Sequence, residues 1–193
     1  MNKLFASPAA CRDIVLAVVL AAGMWLTRSH DVTILTLPDL TWAAFFLAGA
    51  LSHRWVLPIG LTLNAFAIDY VALSHGVSDY CVTPAYAFLI PTHFCLWAAG
   101  RWTRSVHLGS SAHVACCAIA LCAGVIGAFC ISNVGFFAFA GYFDDVSAAE
   151  YARRVLRYFP AFFESTALYG CVGLLVAYAV QRVAAFRSQA TSK

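Results

Sequence analysis

Polar residues in this chain come in short clusters, and between them lie about six long apolar runs. Runs of about 20 apolar residues are the length that crosses a bilayer as helix. The pattern therefore predicts helices with lipid as their solvent. A first helix is expected from about Arg12 to Thr27, ended by the polar Arg28, Ser29, His30 and Asp31. Val32 to Leu37 is apolar and β-branched but too short to span, and reads as a lid or re-entrant segment. Pro38 and Asp39 suit a helix start, so a second helix follows from about Leu40 to Leu51, short for a span. The third, about Trp55 to Leu73, carries Asn64 and Asp69 and stops at His75-Gly76.

A polar break, Asp79-Tyr80-Cys81-Val82-Thr83-Pro84-Ala85-Tyr86, separates the third helix from the fourth. Pro84 suits the opening of that fourth helix, about Ala85 to Ala99, and Pro91 is expected to kink it. Arg101, Arg104 and His107 make a basic loop. The fifth run, about Ser111 to Tyr142, spans with length to spare. Phe143 to Tyr158 is the most charged segment, and the last helix is expected from about Pro160 to Ala184, with Glu164 near its start. No internal repeat is visible. The expected architecture is one all-α integral membrane domain over residues 1–193, with six transmembrane helices.

Composition sharpens this reading. The chain is 62% hydrophobic and 11% charged, where soluble domains carry roughly 25% charged residues. A net charge of +3 is too small to suggest nucleic acid. Its distribution is more useful, because Lys and Arg favour cytoplasmic loops. Six crossings put Lys3, Arg12, Arg54, Arg101, Arg104, Arg182, Arg187 and Lys193 on the side of the termini, and Arg28, Arg153, Arg154 and Arg157 on the other. Both termini are therefore expected in the cytoplasm. Lys3 and Arg12 ahead of an apolar run have the look of a signal peptide. That run continues to Leu26, however, and reads as a retained first helix. His30, Asp69, Cys81, Tyr86, Arg153, Arg154 and Glu164 then all fall in the outer half, which implies a polar pocket open to the outside.

Each of these residues has a bland reading beside the chemical one. Asp69 is costly within a membrane run unless it faces a cavity or a partner. It is either a structural ion pair or interfacial residue, or a ligand contact and an acceptor that orients His30 or Arg154. Six of the eight cysteines lie in apolar runs, where free Cys packs as a small hydrophobe. Cys11 falls at the N-terminal edge and Cys81 in the outer break. A lone loop cysteine is commonly inert, yet a thiolate is a soft ligand for transition metals. Without a neighbouring Cys or His ligand motif, Cys81 offers a single axial bond to a metal already held by an organic macrocycle. Tyr80 suits an interface anchor, Tyr86 a cavity wall. Arg153 and Arg154 are either solvated charges or donors to amide or phosphate groups. Ala17 and Ala21 form a small-xxx-small pair, which permits close helix packing inside the chain or against a partner. A haem held between His93 and His113 would be a membrane redox alternative. It requires the two at one depth, whereas His113 lies about nine residues from the middle of the fifth run, roughly 13 Å at 1.5 Å per residue. No phosphate-binding P-loop is present, so the chain is not an ATPase of that type.

Six short helices with an outward pocket resemble the substrate-binding S-components of energy-coupling factor (ECF) transporters. The cysteine-centred break is similar to that of the BtuM family, predicted vitamin B12 transporters of the Gram-negative inner membrane, marked by a cysteine before the fourth helix. The resemblance implies cobalamin as substrate, with Cys81 on the lower axial position of cobalt and the nucleotide base displaced. It implies that His30, Asp69, Tyr86 and an arginine of the Arg153-Arg154 pair accompany it. It also implies reductive decyanation of cyanocobalamin at Cys81, and an ECF coupling subunit with its ATPases docking on the Ala17/Ala21 face. An S-component for another vitamin, with Cys81 incidental, is the nearest alternative.

Overall fold

A computed structural model describes residues 8–28, 37–105 and 111–191. His30, His107 and most of the expected lid, Val32 to Thr36, lie outside the described residues. All regular structure among the described residues is helical. It comprises α1 (Pro8–Arg28), α2 (Thr41–Leu51), α3 (Val56–Ser74), α4 (Leu89–Trp102), α5 (Ser111–Phe139), α6 (Ala148–Val155) and α7 (Phe159–Thr191). Short 3-10 turns precede α4 (Pro84–Phe88), follow it (Thr103–Ser105), and join α6 to α7 (Leu156–Tyr158).

The boundaries follow local chemistry. Gly76, at φ 93°, closes α3, with its N–H donating to the Leu73 carbonyl at 3.1 Å and that of Val77 to Ala72 at 3.2 Å. A left-handed glycine is the usual way to satisfy the last carbonyls of a helix. Pro91 does not kink a helix interior as expected. It is the third residue of α4, where an N–H has no partner within the α-helix. The charged segment after α5 is partly helical. The Ser147 hydroxyl accepts from the Glu150 N–H at 3.2 Å and starts α6.

Four helical segments are long and apolar enough to cross a membrane: Ala10–Arg28, Val56–Ser74, Ala112–Phe139 and the α6–α7 rod Ala148–Arg187. The sequence reading expected six. The difference lies in α2 and α4. With 11 residues, α2 is about 16 Å long at 1.5 Å per residue, against a hydrocarbon core of about 30 Å. It is instead the buried centre of the fold. Every residue from Thr41 to Gly49 is buried, as befits a helix apolar all round. A Cβ on Gly49 would strike the Trp97 carbonyl, and one on Gly100 the Phe46 carbonyl, so α2 and α4 touch backbone to backbone. Leu61, Ile68, Leu96, Val125 and Phe129 of the surrounding helices complete the core.

The outside of the bundle is apolar as well. Val15, Val18 and Val19 of α1, Val114, Ile119 and Ile126 of α5, and Leu168, Val172, Leu175 and Val176 of α7 are all exposed. Soluble monomers rarely present so much contiguous apolar surface, and this exterior is consistent with a multi-pass membrane protein. Ala17 and Ala21 do not face outward. They are half-buried and pack against the core, so their small side chains serve close packing within the chain.

Successive long elements alternate in direction. Arg54 pairs with Asp13 at 2.9 Å, and Arg101 donates to the His53 carbonyl at 3.4 Å, at one end. Arg12 near the start of α1 and Gln181 near the end of α7 line one cavity there. The two ends of the described chain thus share one end of the bundle. The loop holding Cys81 is at the other.

Candidate functional site

The Cys81 end is organised by an ion-pair network. α1 and α3 run side by side in the same direction, with Trp25 Nε1 donating to Asn64 Oδ1 at 3.0 Å. One turn further along, Arg28 reaches Asp69 with two parallel bonds, Nε to Oδ1 at 2.6 Å and Nη2 to Oδ2 at 2.8 Å. Its Nη1 donates to Asp39 Oδ2 at 3.2 Å. Asp39 in turn accepts from the Thr41 N–H at 2.8 Å and the Thr41 hydroxyl at 2.6 Å, fixing the start of α2. Tyr86 donates its hydroxyl to Asp69 Oδ2 at 2.7 Å from the 3-10 turn before α4. One guanidinium and two carboxylates therefore tie together α1, α2, α3 and the approach to α4. The side chains of Arg28 and Asp69 are only 20% and 22% exposed, and bidentate geometry makes such a pair strong.

Cys81 lies in the exposed loop between Val77 and Thr83, and its thiol is free and exposed. The loop is braced on both sides. Tyr80 stacks on Tyr142 with ring centroids 4.6 Å apart and planes at 8°, and Tyr142 donates to the Tyr80 carbonyl at 3.3 Å. After the cysteine, Thr83 caps the 3-10 turn through its hydroxyl, which accepts from the Ala85 N–H at 3.2 Å. Tyr86 donates its N–H to the Thr83 carbonyl at 2.8 Å. Cys81 thus lies five positions along the chain from Tyr86, a member of the Asp69 network.

Asp69 and Tyr86 are brought into contact, as a shared site requires. The carboxylate is oriented by Arg28, which the sequence reading placed only in a polar loop. Arg153 and Arg154 are exposed on α6, at the Cys81 end but outside the network. Arg154 pairs with Glu150 one turn back, and Arg153 Nε donates to the Ala149 carbonyl at 3.4 Å. Glu164 is exposed. The signal that would have found Arg28 is depth. A carboxylate five residues before the end of α3 needs a counter-charge at its own level, and Arg28 ends the parallel α1.

The two histidines of the haem alternative have separate surroundings. His93 is buried, stacked on Phe45 at 4.1 Å, with Nδ1 3.4 Å from the Thr62 hydroxyl. His113 Nε2 lies 3.4 Å from Cys117 Sγ and its residue lines the cavity at the opposite end. Among the described residues no three His, Cys, Asp or Glu side chains are grouped to hold a metal ion. Comparison of the chain with family models and with curated proteins finds no match.

Proposed function

We propose that this chain binds and takes up vitamin B12 across the bacterial inner membrane, capturing the corrinoid at the Cys81 end. The observation that carries the reading is the free, exposed Cys81 thiol on a braced loop, five positions from Tyr86, whose hydroxyl donates to the Asp69 carboxylate at 2.7 Å. A soft sulfur donor on its own cannot build a metal cage. It can occupy one axial position on a cobalt whose other in-plane ligands come from the corrin.

On this reading the Cys81 thiol loses its proton and the sulfur bonds to cobalt in place of the nucleotide base. Sulfur opposite cyanide weakens the cobalt–carbon bond. Cyanide departs with both electrons of that bond and takes up a proton, leaving as hydrogen cyanide. Cobalt keeps its oxidation state, so this exchange balances without a reductant. The Arg28–Asp69–Tyr86 network holds the surrounding helix ends in register for the ligand. Arg153 and Arg154, exposed at the same end, are donors for the amide or phosphate groups at the periphery of cobalamin. His30 belongs to the proposed set by resemblance.

The multi-pass apolar exterior supports residence in a membrane, and the charge bias supports cytoplasmic termini. An ECF coupling subunit with ATPases remains the proposed energy source. With Ala17 and Ala21 packed inward, such a subunit would meet mainly the larger side chains of α1. Purification after growth with cyanocobalamin tests the function. A corrinoid absorption spectrum with a matching mass supports it, and a colourless vitamin in its place turns the reading to another S-component.

A further inference from the structure

The end of the bundle remote from Cys81 holds a cavity of about 470 Å³, a size typical of small-molecule sites. It opens between α1, α2, α5, α7 and the turn after α4. Arg12, Arg104, His53, His113 and Gln181 line it, and no Asp or Glu does among the described residues. Leu51 and Leu174 supply an apolar wall. Arg104 carries the argument. Its Nη1 is buried and has no hydrogen-bond partner among the described residues. Guanidinium donors left without a partner are costly.

The charge balance around it is uneven. Burial and the positive charges of Arg101 and Arg12 hold the Arg104 guanidinium below its ordinary pKa, with Asp13 opposing them. Asp13 is engaged on one side only: Oδ2 accepts from Arg54 Nε at 2.9 Å, whereas Oδ1, buried and without a hydrogen-bond partner among the described residues, lies 3.8 Å from Arg12 Nη2. One carboxylate thus faces several guanidiniums. An anion entering the cavity would give Arg104 its missing acceptor and relieve this excess.

We infer that the cavity binds a phosphate group, and that an anionic phospholipid headgroup is the source its walls favour. Basic pockets between membrane helices on the cytoplasmic side suit such headgroups. The apolar Leu174 lies within one turn of the exposed Cys171 and Tyr178 on the same face of α7, which offers an acyl chain a path along the helix from the cavity. This site is independent of the corrinoid reading, because it lies at the opposite end of the bundle.

The test is native mass spectrometry of the full-length protein in detergent, titrated with phosphatidylglycerol or with phosphatidylcholine of the same chains. The wild type should retain phosphatidylglycerol in preference. Arg104→Gln should weaken that retention about tenfold, as expected for loss of a charge-assisted hydrogen bond. Arg104→Lys should keep most of it. Arg157→Gln, which removes an equal charge at the other end, should leave it unchanged. Should Arg104→Gln fail to fold by circular dichroism, Arg12→Gln at an exposed position takes its place with the same expected direction. Excess inorganic phosphate separates the sources. Displacement of the lipid with the same Arg104 dependence identifies a site open to free phosphate, and persistence of the lipid identifies a headgroup site. Equal retention of the two lipids by the wild type, or equal phosphatidylglycerol retention by wild type and the folded variants, would overturn the inference.

Discussion

Arg28 holds Asp69 through both of its carboxylate oxygens, at 2.6 and 2.8 Å, across 41 positions of sequence. This pair, rather than a contact to Arg154, settles the orientation of the Asp69 carboxylate near the end of α3. It also explains how a helix as short as α2 is anchored, since the same guanidinium reaches Asp39 at 3.2 Å.

Asp69→Asn should keep the polar shape but leave Arg28 with Asp39 alone. We expect a loss of about 2 kcal/mol of stability, or roughly 4–8 °C in melting temperature, and weaker corrinoid binding. Asp69→Leu should cost more. Combining it with Arg28→Met should restore part of the loss, because breaking a buried pair costs more than removing it whole. Tyr86→Phe should cost about 1 kcal/mol, the value of one hydrogen bond. Thermal unfolding in detergent and cobalamin titration measure both effects. Full binding by well-folded Asp69→Asn would show that the charge is dispensable.

Gly100→Ala should be among the most damaging small substitutions. Its Cβ would meet the Phe46 backbone carbonyl, and backbone cannot move aside cheaply. A loss of about 3 kcal/mol is expected, seen as poor yield and a low melting temperature. Gly60→Ala is the contrast. Nothing lies within 4 Å of a Cβ there, and within a helix the change should add about 0.5–1 kcal/mol. Similar behaviour of the two variants would contradict the backbone contact between α2 and α4.

Arg12 and Gln181 line one cavity, so both ends of the described chain share one side, and the proposed orientation, drawn from the bias of basic residues, puts that side in the cytoplasm. A C-terminal alkaline phosphatase fusion should be inactive and a fluorescent protein fusion bright. The reverse result would place Cys81 on the cytoplasmic side and remove the basis for capture from outside.

The helical class and most helix ends were legible in the sequence, because apolar length and glycine placement are local signals. His75-Gly76 ends α3 as read, and α7 begins one residue before Pro160. The role of α2 was less legible. Its apolar pattern looks the same whether lipid or protein surrounds it, and only tertiary packing makes it the core. For the same reason the facing of Ala17 and Ala21 could not be read from α1, which is apolar on all sides. Within the candidate site, Asp69 and Tyr86 stood out as polar groups near an apolar boundary. Arg28 did not, because a cation at a helix end is ordinary until its partner's depth is known.

The central claim is ligation of cobalt by Cys81, and the cyanocobalamin spectrum of wild type against Cys81→Ser tests it most directly. The exchange keeps the side chain nearly the same size while replacing a soft donor by a hard one. The wild type should shift the spectrum to a base-off, sulfur-bound form and release one cyanide per bound corrinoid. Cys81→Ser should fold, bind weakly and leave both the spectrum and the cyanide unchanged. Equal cyanide release by the two proteins, or an unchanged spectrum with bound corrinoid in the wild type, would contradict the account.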